Sequence, residues 1–556
     1  AAACGSDPLA PEDEPSLVDL TAPLFVPNRV LDIEITMTPA DWDALRAQTR
    51  TLDSILGQNC LDEPRPRPFT YFPADITIDG EPVPMVGVRK KGFLGSLSTE
   101  KPSLKIKFSE YLSRQTYSGL KKMTLNNSQQ DPSLVKQCLG YQVFRDAGVP
   151  ASRCNFATVA VNGQSLGLFV HVEPLDKGFL GRNFANKYGN LYEGALSDFR
   201  PGWTGTFELK TNETLNDRSD IDAMVTALSG SNDTLLTNLS QQLDLDAFYT
   251  FWAAEVLISH WDGYAGNTNN FYVYHDPVRD RLSFIPWGID GILFGDPNDP
   301  RPVMGTGILA YRLYGVAEAQ AEYLSRLRLL LDTVWDAVDL TAEIDRMELL
   351  LAPQVEPAAA AEWTVAVQQV RDFVRTREAA LNAVLDQGPP AFNEPLRDPP
   401  CLNPIGAVDA SFDTTWGTLN RPDPFGDEAG ATPTGSGTLA GDLNGTPWDV
   451  WRATAAAGSD PESPAAVMQT IVQLNDRNIV VVHVVVPDPG RVVPGATINL
   501  DLVDAFGVVI FGNVSTSEWS ILGLLLDGEA TLTDGSTTDG EPVIGGVQAT
   551  LFEWGF

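Results

Sequence analysis

His260-Trp261-Asp262-Gly263-Tyr264-Ala265-Gly266-Asn267-Thr268-Asn269-Asn270, running straight into Phe271-Tyr272-Val273-Tyr274, is the stretch on which the reading of this chain turns. One carboxylate and several amides crowd between an apolar, helix-like segment and a strand. The following strand, Leu282-Ser283-Phe284-Ile285-Pro286-Trp287, ends at Gly288-Ile289-Asp290-Gly291, and the turn Asp276-Pro277-Val278-Arg279-Asp280 joins the two antiparallel. Such a hairpin returns Asp290 to the end where Asn267 and Asn270 sit. Two carboxylates and several amide oxygens then converge, and hard oxygen donors of this kind suit Mg²⁺ held together with substrate phosphates. A buried, hydrogen-bonded loop would use the same residues.

Outward from this point the text divides. Upstream lie short strands: Val30 to Ile35, Ala74 to Ile78, Val86 to Arg89 and Leu104 to Phe108. A helix is expected from about Ser133 to Ala147, then two strands joined at Asn162-Gly163, a strong hairpin signal. Thr38-Pro39 reads as a capped helix start. Beyond Asp217 the pattern turns helical, around 219 to 229, 245 to 259, 318 to 335 and 357 to 385. A sheet-rich half followed by a helix-rich half predicts two lobes with a cleft between them. A Pro-rich linker, 389–401, leads to strand-and-turn text over 402–556, which reads as an all-β, sandwich-like accessory domain. Residues 1–27 read as a mobile tether.

The net charge is −35 over 556 residues, which opposes binding to nucleic acid or anionic lipid. No apolar run reaches the roughly 20 residues that a membrane helix needs. Ala1-Ala2-Ala3-Cys4-Gly5-Ser6 resembles the processing site of a bacterial lipoprotein, so an exported, surface or extracellular protein with Cys4 as the lipid attachment point is expected. Cys60, Cys138, Cys154 and Cys401 remain, an even number that suits either disulfides or buried thiols. A bond between Cys60 and Cys401 would bind the accessory domain to the rest. In so acidic a chain, the basic run Arg89, Lys90, Lys91, Lys101, Lys105, Lys107, Lys121 and Lys122 stands out. Strand alternation puts Lys105 and Lys107 on one face and Leu104, Ile106 and Phe108 on the other.

Trp261-Asp262-Gly263-Tyr264, Asn267, Asn269-Asn270-Phe271-Tyr272 and Pro286-Trp287-Gly288-Ile289-Asp290 together resemble the CotH kinase family. Further blocks stand in the family's order: Val88-Arg89-Lys90-Lys91-Gly92, Lys105-Ile106-Lys107-Phe108, Leu125-Asn126-Asn127, Phe144-Arg145-Asp146-Ala147-Gly148 and Val172-Glu173-Pro174-Leu175-Asp176-Lys177. The likeness covers about residues 28–388 and implies an α+β, two-lobed, atypical protein-kinase-like domain. It implies an enzyme transferring the γ-phosphoryl group of ATP to protein hydroxyls, with Mg²⁺ or Mn²⁺ and a protein substrate at the cell surface. Asp262 would be catalytic, Asn267 and Asp290 would hold metal, and Arg89, Lys91, Lys105 and Glu173 would bind the nucleotide. The alternative is a pseudokinase or adhesin-like surface protein. Three departures from the family pattern bear on activity: Gly288 replaces a common Asp, the Gly92-Phe93-Leu94-Gly95-Ser96 loop is apolar, and Gln142 stands where an acidic partner for the phosphate lysine would be sought.

Overall fold

A computed structural model describes residues 19–553 except 94, 462, 502–503, 514–515 and 517. Cys4 and residues 1–18 of the expected tether lie outside the described residues. The tether's end is packed rather than mobile: Ala22–Phe25 forms a 3-10 turn with Leu24 and Phe25 buried. Phe25 stacks on His171 with ring centroids 4.6 Å apart, and this burial fixes the segment ahead of the expected boundary.

The first lobe is built from β1 (Val30–Thr36), α1 (Pro39–Ala47), α2 (Leu52–Leu56), β2 (Phe72–Ile78), β3 (Glu81–Lys91), β4 (Ser103–Lys107), β5 (Lys122–Asn126), α3 (Lys136–Asp146), β6 (Cys154–Val161) and β7 (Gln164–Val172). Its seven strands form a closed barrel in the order β1-β2-β3-β4-β5-β7-β6, sealed by parallel pairing of β1 with β6. Thr38 caps α1 by accepting the Asp41 N–H, and Pro39 occupies a first-turn position that needs no donor. Asn162 and Gly163 take φ of +52° and +78°, as a tight hairpin between twisted strands requires. Leu31, Ile33, Ile35, Val86, Val88, Leu104 and Ile106 fill the barrel. Alternation then leaves Arg89, Lys91 and Lys105 on its outer face, with Arg89 directly opposite Lys105 and Lys91 opposite Ser103. Lys90 points the other way, buried and donating to the Arg46 carbonyl at 2.8 Å.

The second lobe holds α4 (Lys177–Asn183), β8 (Leu191–Gly194), β9 (Glu208–Leu209), α5 (Ser219–Leu228), α6 (Asn232–Leu239), α7 (Leu245–Leu257), α8 (Tyr264–Asn267), β10 (Phe271–Asp276), β11 (Arg281–Pro286), α9 (Ile308–Tyr314), α10 (Ala317–Thr333), α11 (Ala337–Leu351) and α12 (Ala360–Leu385). Every residue of α7 from Phe248 to Leu257 is buried, the mark of a helix at the centre of a core. Trp252 of α7 stacks on Tyr323 of α10 at 3.8 Å, and Arg377 of α12 donates to the Leu257 carbonyl at the end of α7. The expected hairpin forms, with Phe271 opposite Pro286. It belongs to a four-stranded sheet, β11-β10-β8-β9, whose other two strands, β8 and β9, are short and carry too little pattern to be read from sequence.

After α12 the chain forms β12 (Pro404–Thr415), β13 (Gly435–Leu443), β14 (Thr446–Pro447), β15 (Val450–Ser459), β16 (Ala466–Leu474), β17 (Ile479–Val486), β18 (Thr497–Leu500), β19 (Phe506–Asn513), β20 (Glu518–Asp534) and β21 (Pro542–Glu553). These make one continuous ten-stranded sheet. It rolls until β12 and β13 meet β15 and β16, where Thr470 Oγ1 donates to the Ser411 carbonyl at 3.0 Å and Thr434 Oγ1 to that of Ala455 at 2.7 Å. The layers are sandwich-like, but a single sheet supplies both. Leu524, Leu526 and Phe552 pack with Leu402 against Leu52, Ile55 and Leu56 of α2. A Cys60–Cys401 disulfide closes the same junction, and Cys138–Cys154 joins α3 to β6.

Candidate functional site

The loop after α7 is held from beneath. Glu255, wholly buried, accepts the N–H groups of Tyr264 and Ala265 at 2.9 and 3.0 Å, fixing the start of α8. Thr268 and Asn270 then adopt left-handed φ of +51° and +50°, a conformation that costs a non-glycine residue on the order of 1–3 kcal/mol. Its result is that three amides aim at one carboxylate. Asn267 Nδ2 donates to Asp262 Oδ1 at 2.5 Å, Asn269 Nδ2 to the same oxygen at 3.1 Å, and Asn270 Nδ2 to Oδ2 at 2.7 Å.

Gly288 is part of this arrangement. Its φ is +55°, and a Cβ there would stand 2.3 Å from Asn270 Oδ1. A carboxylate at position 288 would therefore displace the amide that steadies Asp262. Asp290, two residues on, returns beside the loop as the hairpin predicts. Burial pushes its carboxyl up, Lys91 counteracts, and the charge of Asp262 adds to the rise.

Facing the two carboxylates across a cavity of about 210 Å³ are Arg89, Lys91 and Lys105 from the barrel's outer face. Burial, helped by Arg89 and Lys122, brings Lys105 down to about 7. Burial brings Lys91 to about 8, with Asp290 pulling the other way. Among the described residues nothing hydrogen-bonds or ion-pairs Lys105 Nζ. Lys91 Nζ donates to Asn126 Oδ1, and Asn126 Nδ2 donates in turn to Gln137 Oε1 at 2.8 Å. The α3 residue that reaches the cavity lysines is thus Gln137, through an amide relay, and not Gln142.

Two expected site residues are engaged elsewhere. Asn267 Oδ1, the oxygen a metal would need, accepts from Arg397 Nη1, which also donates to the Asn267 carbonyl at 3.0 Å. With a carboxylate on its nitrogen and a guanidinium on its oxygen, the orientation of this amide is fixed by its partners. Glu173 does not line the cavity. It is buried and ion-paired with Arg153 at 2.7 Å and with Arg182, and it accepts the Arg153 N–H at 3.1 Å.

The cavity also contains Arg50, Arg65, Arg67, Glu193, Glu208 and Lys210, none of which the sequence reading selected. Lys210 ion-pairs with Glu208 at 2.8 Å and with Glu193. Burial alone would raise Glu193, yet Lys210 and Lys105 outweigh it and hold the carboxyl at about 2. The one usable signal was Arg65-Pro66-Arg67, two arginines in a rigid stretch of a strongly acidic chain. The other basic residues disperse: Lys107 pairs with Glu110 at 2.6 Å, and Lys101 lies over the Phe169 ring at 5.0 Å.

A family model described as CotH kinase protein matches residues 88–381. Inner spore coat protein H of Bacillus subtilis (strain 168) is 22% identical over 258 residues, 43% of this chain and 70% of that protein. Invasin CotH3 of Rhizopus delemar is 24% identical over 184 residues, 30% of this chain and 31% of the invasin. Invasin CotH2 of the same organism is 22% identical over 262 residues, 42% of this chain and 44% of the invasin. The matched region spans less than half the length of these two invasins. The Helicobacter pylori proinflammatory kinase CtkA superposes with a TM-score of 0.25 and 10% identity, covering 53% of this chain and 95% of its own. At that score the likeness carries no argument.

Proposed function

The chain belongs to the CotH kinase family, and from that membership we propose that it is an atypical protein kinase, transferring the γ-phosphoryl group of ATP to a hydroxyl on an exported or surface protein. The observation that carries this reading is the meeting of Arg89, Lys91 and Lys105 with Asp262 and Asp290 across one cavity, in a chain whose net charge is −35.

The residues fit both a polyphosphate and a divalent cation. Arg89 and Lys105 are directly opposed on neighbouring strands, an arrangement that like charges disfavour and an anion relieves. Asp290, buried beside the charge of Asp262, is in need of a counter-charge. Among the described residues no cluster of three or more His, Cys, Asp or Glu could hold a metal, so Mg²⁺ or Mn²⁺ would take Asp290 together with phosphate and water oxygens. In the described conformation Asn267 offers it no oxygen. When bound, the ion would neutralise charge on the phosphate oxygens.

The chain's own residues supply the rest. Lys105, Lys91 and Arg89 donate to phosphate oxygens and hold the chain of phosphates against the barrel. Asp262, pinned by three amides, orients the acceptor hydroxyl and takes its proton as the oxygen attacks the γ-phosphorus. The bond from that phosphorus to the bridging oxygen breaks, and ADP leaves with the electron pair. Export is supported by the two disulfides, which suit an oxidising compartment. In this reading a lipid on Cys4 supplies any membrane attachment, and the strongly negative chain engages no nucleic acid.

The engagement of Asn267 by Arg397 favours a second reading, a pseudokinase-like or adhesin-like surface protein without phosphotransfer. Calorimetry with ATP and Mg²⁺ or Mn²⁺, followed by radiolabel transfer, separates them. Metal-dependent binding that is lost in Asp290→Ala supports the kinase. Equal binding by both proteins removes Asp290 from the site, and absence of nucleotide binding leaves the surface-protein reading.

A further inference from the structure

Arg65 sits on the segment between α2 and β2, lines the cavity and is 8% exposed. Neither its Nε nor its Nη2 has a hydrogen-bond partner. Arg67, on the same segment, is ion-paired with Glu208, but among the described residues Arg65 has no ion pair. Two guanidinium groups crowd it further, since burial, Arg397 and Arg50 together lower it to about 10. Burying a cation with unmet donors beside like charges is strongly unfavourable unless an anion is meant to occupy the space. Nor is the segment free to swing out: Cys60–Cys401 staples it to the strap that carries Arg397, and the Leu402 N–H donates to the Leu56 carbonyl.

The position tells which anion. The phosphate-binding cations Arg89, Lys91 and Lys105 lie on β3 and β4. Arg65 instead feels the charge of Arg397 and shares the cavity with Asp262; Arg397 in turn feels the charge of Asp262 and grips Asn267 in the loop that takes the acceptor's proton. Resting on the kinase reading, we propose that Arg65 is an acceptor-specificity residue. It binds a carboxylate or phosphate group adjacent to the hydroxyl being phosphorylated, so that the enzyme prefers acidic polypeptide acceptors.

The test is calorimetric titration of the full chain with serine peptides flanked by Glu, by phosphoserine or by Gln, at about 0.15 M salt to screen the acidic surface. Wild type is expected to bind the acidic peptides roughly tenfold more tightly than the Gln peptide. Arg65→Gln is expected to erase that difference while leaving the affinity for ATP with Mg²⁺ unchanged. The Glu and phosphoserine arms distinguish carboxylate from phosphate. Equal binding of acidic and neutral peptides by wild type overturns the proposal. So does an equal loss of ATP and peptide affinity in Arg65→Gln, which would place Arg65 among the nucleotide contacts. If Arg65→Gln does not fold, Arg65→Lys keeps the charge without the planar fork and should retain only part of the preference; full retention counts against the assignment. Acidic preference without nucleotide binding would refute the phosphotransfer reading and leave this site standing. Phosphotransfer without acidic preference would do the reverse.

Discussion

Nucleotide binding should draw protons into the protein at alkaline pH, because the cavity holds Lys105 at about 7 and Lys91 at about 8. At pH 8 the empty site then carries about a tenth of a proton on Lys105 and about half of one on Lys91. Polyphosphate oxygens beside both groups return them toward the ordinary lysine range, so binding takes up about 1.4 protons, and Lys105→Met lowers this to about 0.5. Calorimetry at pH 8 in buffers of different ionisation enthalpy measures the number directly, as the slope of apparent binding enthalpy. A slope near zero, or the same slope in Lys105→Met, would refute the placement of these lysines on the phosphates. The same shifts set the stability of the ligand-free chain. Lys105 folds with its pKa lowered, so the unfolded chain binds more protons between about pH 7 and 10, and folded stability rises with pH across that window. Below about pH 7 the full cost of the buried charge is present. Lys105→Met should therefore melt at a higher temperature than wild type at pH 6 to 7 while losing nucleotide affinity.

Asp262→Ala should lower phosphotransfer by on the order of 10²- to 10⁴-fold with nucleotide affinity retained, measured by radiolabel transfer and calorimetry; undiminished labelling removes Asp262 from the chemistry. Arg397→Ala should cost about 1.5–3 kcal/mol in urea denaturation, the worth of a hydrogen bond to a charged group. It also frees Asn267 Oδ1, so Mn²⁺ affinity in the presence of nucleotide should rise in paramagnetic resonance titrations, and unchanged affinity would show that this amide is no metal ligand. A chain ended at residue 388 loses Phe392, Arg397 and Cys401 and uncovers Leu52, Ile55 and Leu56. It should aggregate or lose turnover, whereas a chain ended at 401 keeps the strap and disulfide and should keep more of both; equal behaviour would show the strap to be dispensable.

What the sequence made legible was local. Period-two alternation at Leu104-Lys105-Ile106-Lys107 settles which side chains enter the barrel, and a hairpin of known turn chemistry returns Asp290 to the Asp262 loop. β9, with two residues, and the relay from Gln137 through Asn126 to Lys91 had no such period to announce them. Glu173 stands in one of the blocks that carry the resemblance, but its surroundings include Arg153 and Arg182, which are distant or unremarkable in the text. Gly288 read as a loss, and only the backbone φ and the nearness of Asn270 show that a side chain there would disturb Asp262.

The Pro-rich stretch 389–401 shows how composition can mislead about role. Prolines deprive a segment of donors and of regular structure, so it reads as a spacer. The same rigidity lets it run extended across the helical lobe with its few other side chains placed at fixed points. The Pro390 carbonyl accepts from Tyr314 Oη at 2.6 Å, and Phe392 lies edge-on to Tyr311 and Tyr314. The Arg397 N–H then donates to the Thr306 carbonyl at 3.0 Å, which sets its guanidinium on Asn267. Four residues later Cys401 binds Cys60, on the segment that carries Arg65 into the cavity. One strap thus joins the Asp262 loop, the arginine segment and the C-terminal sheet.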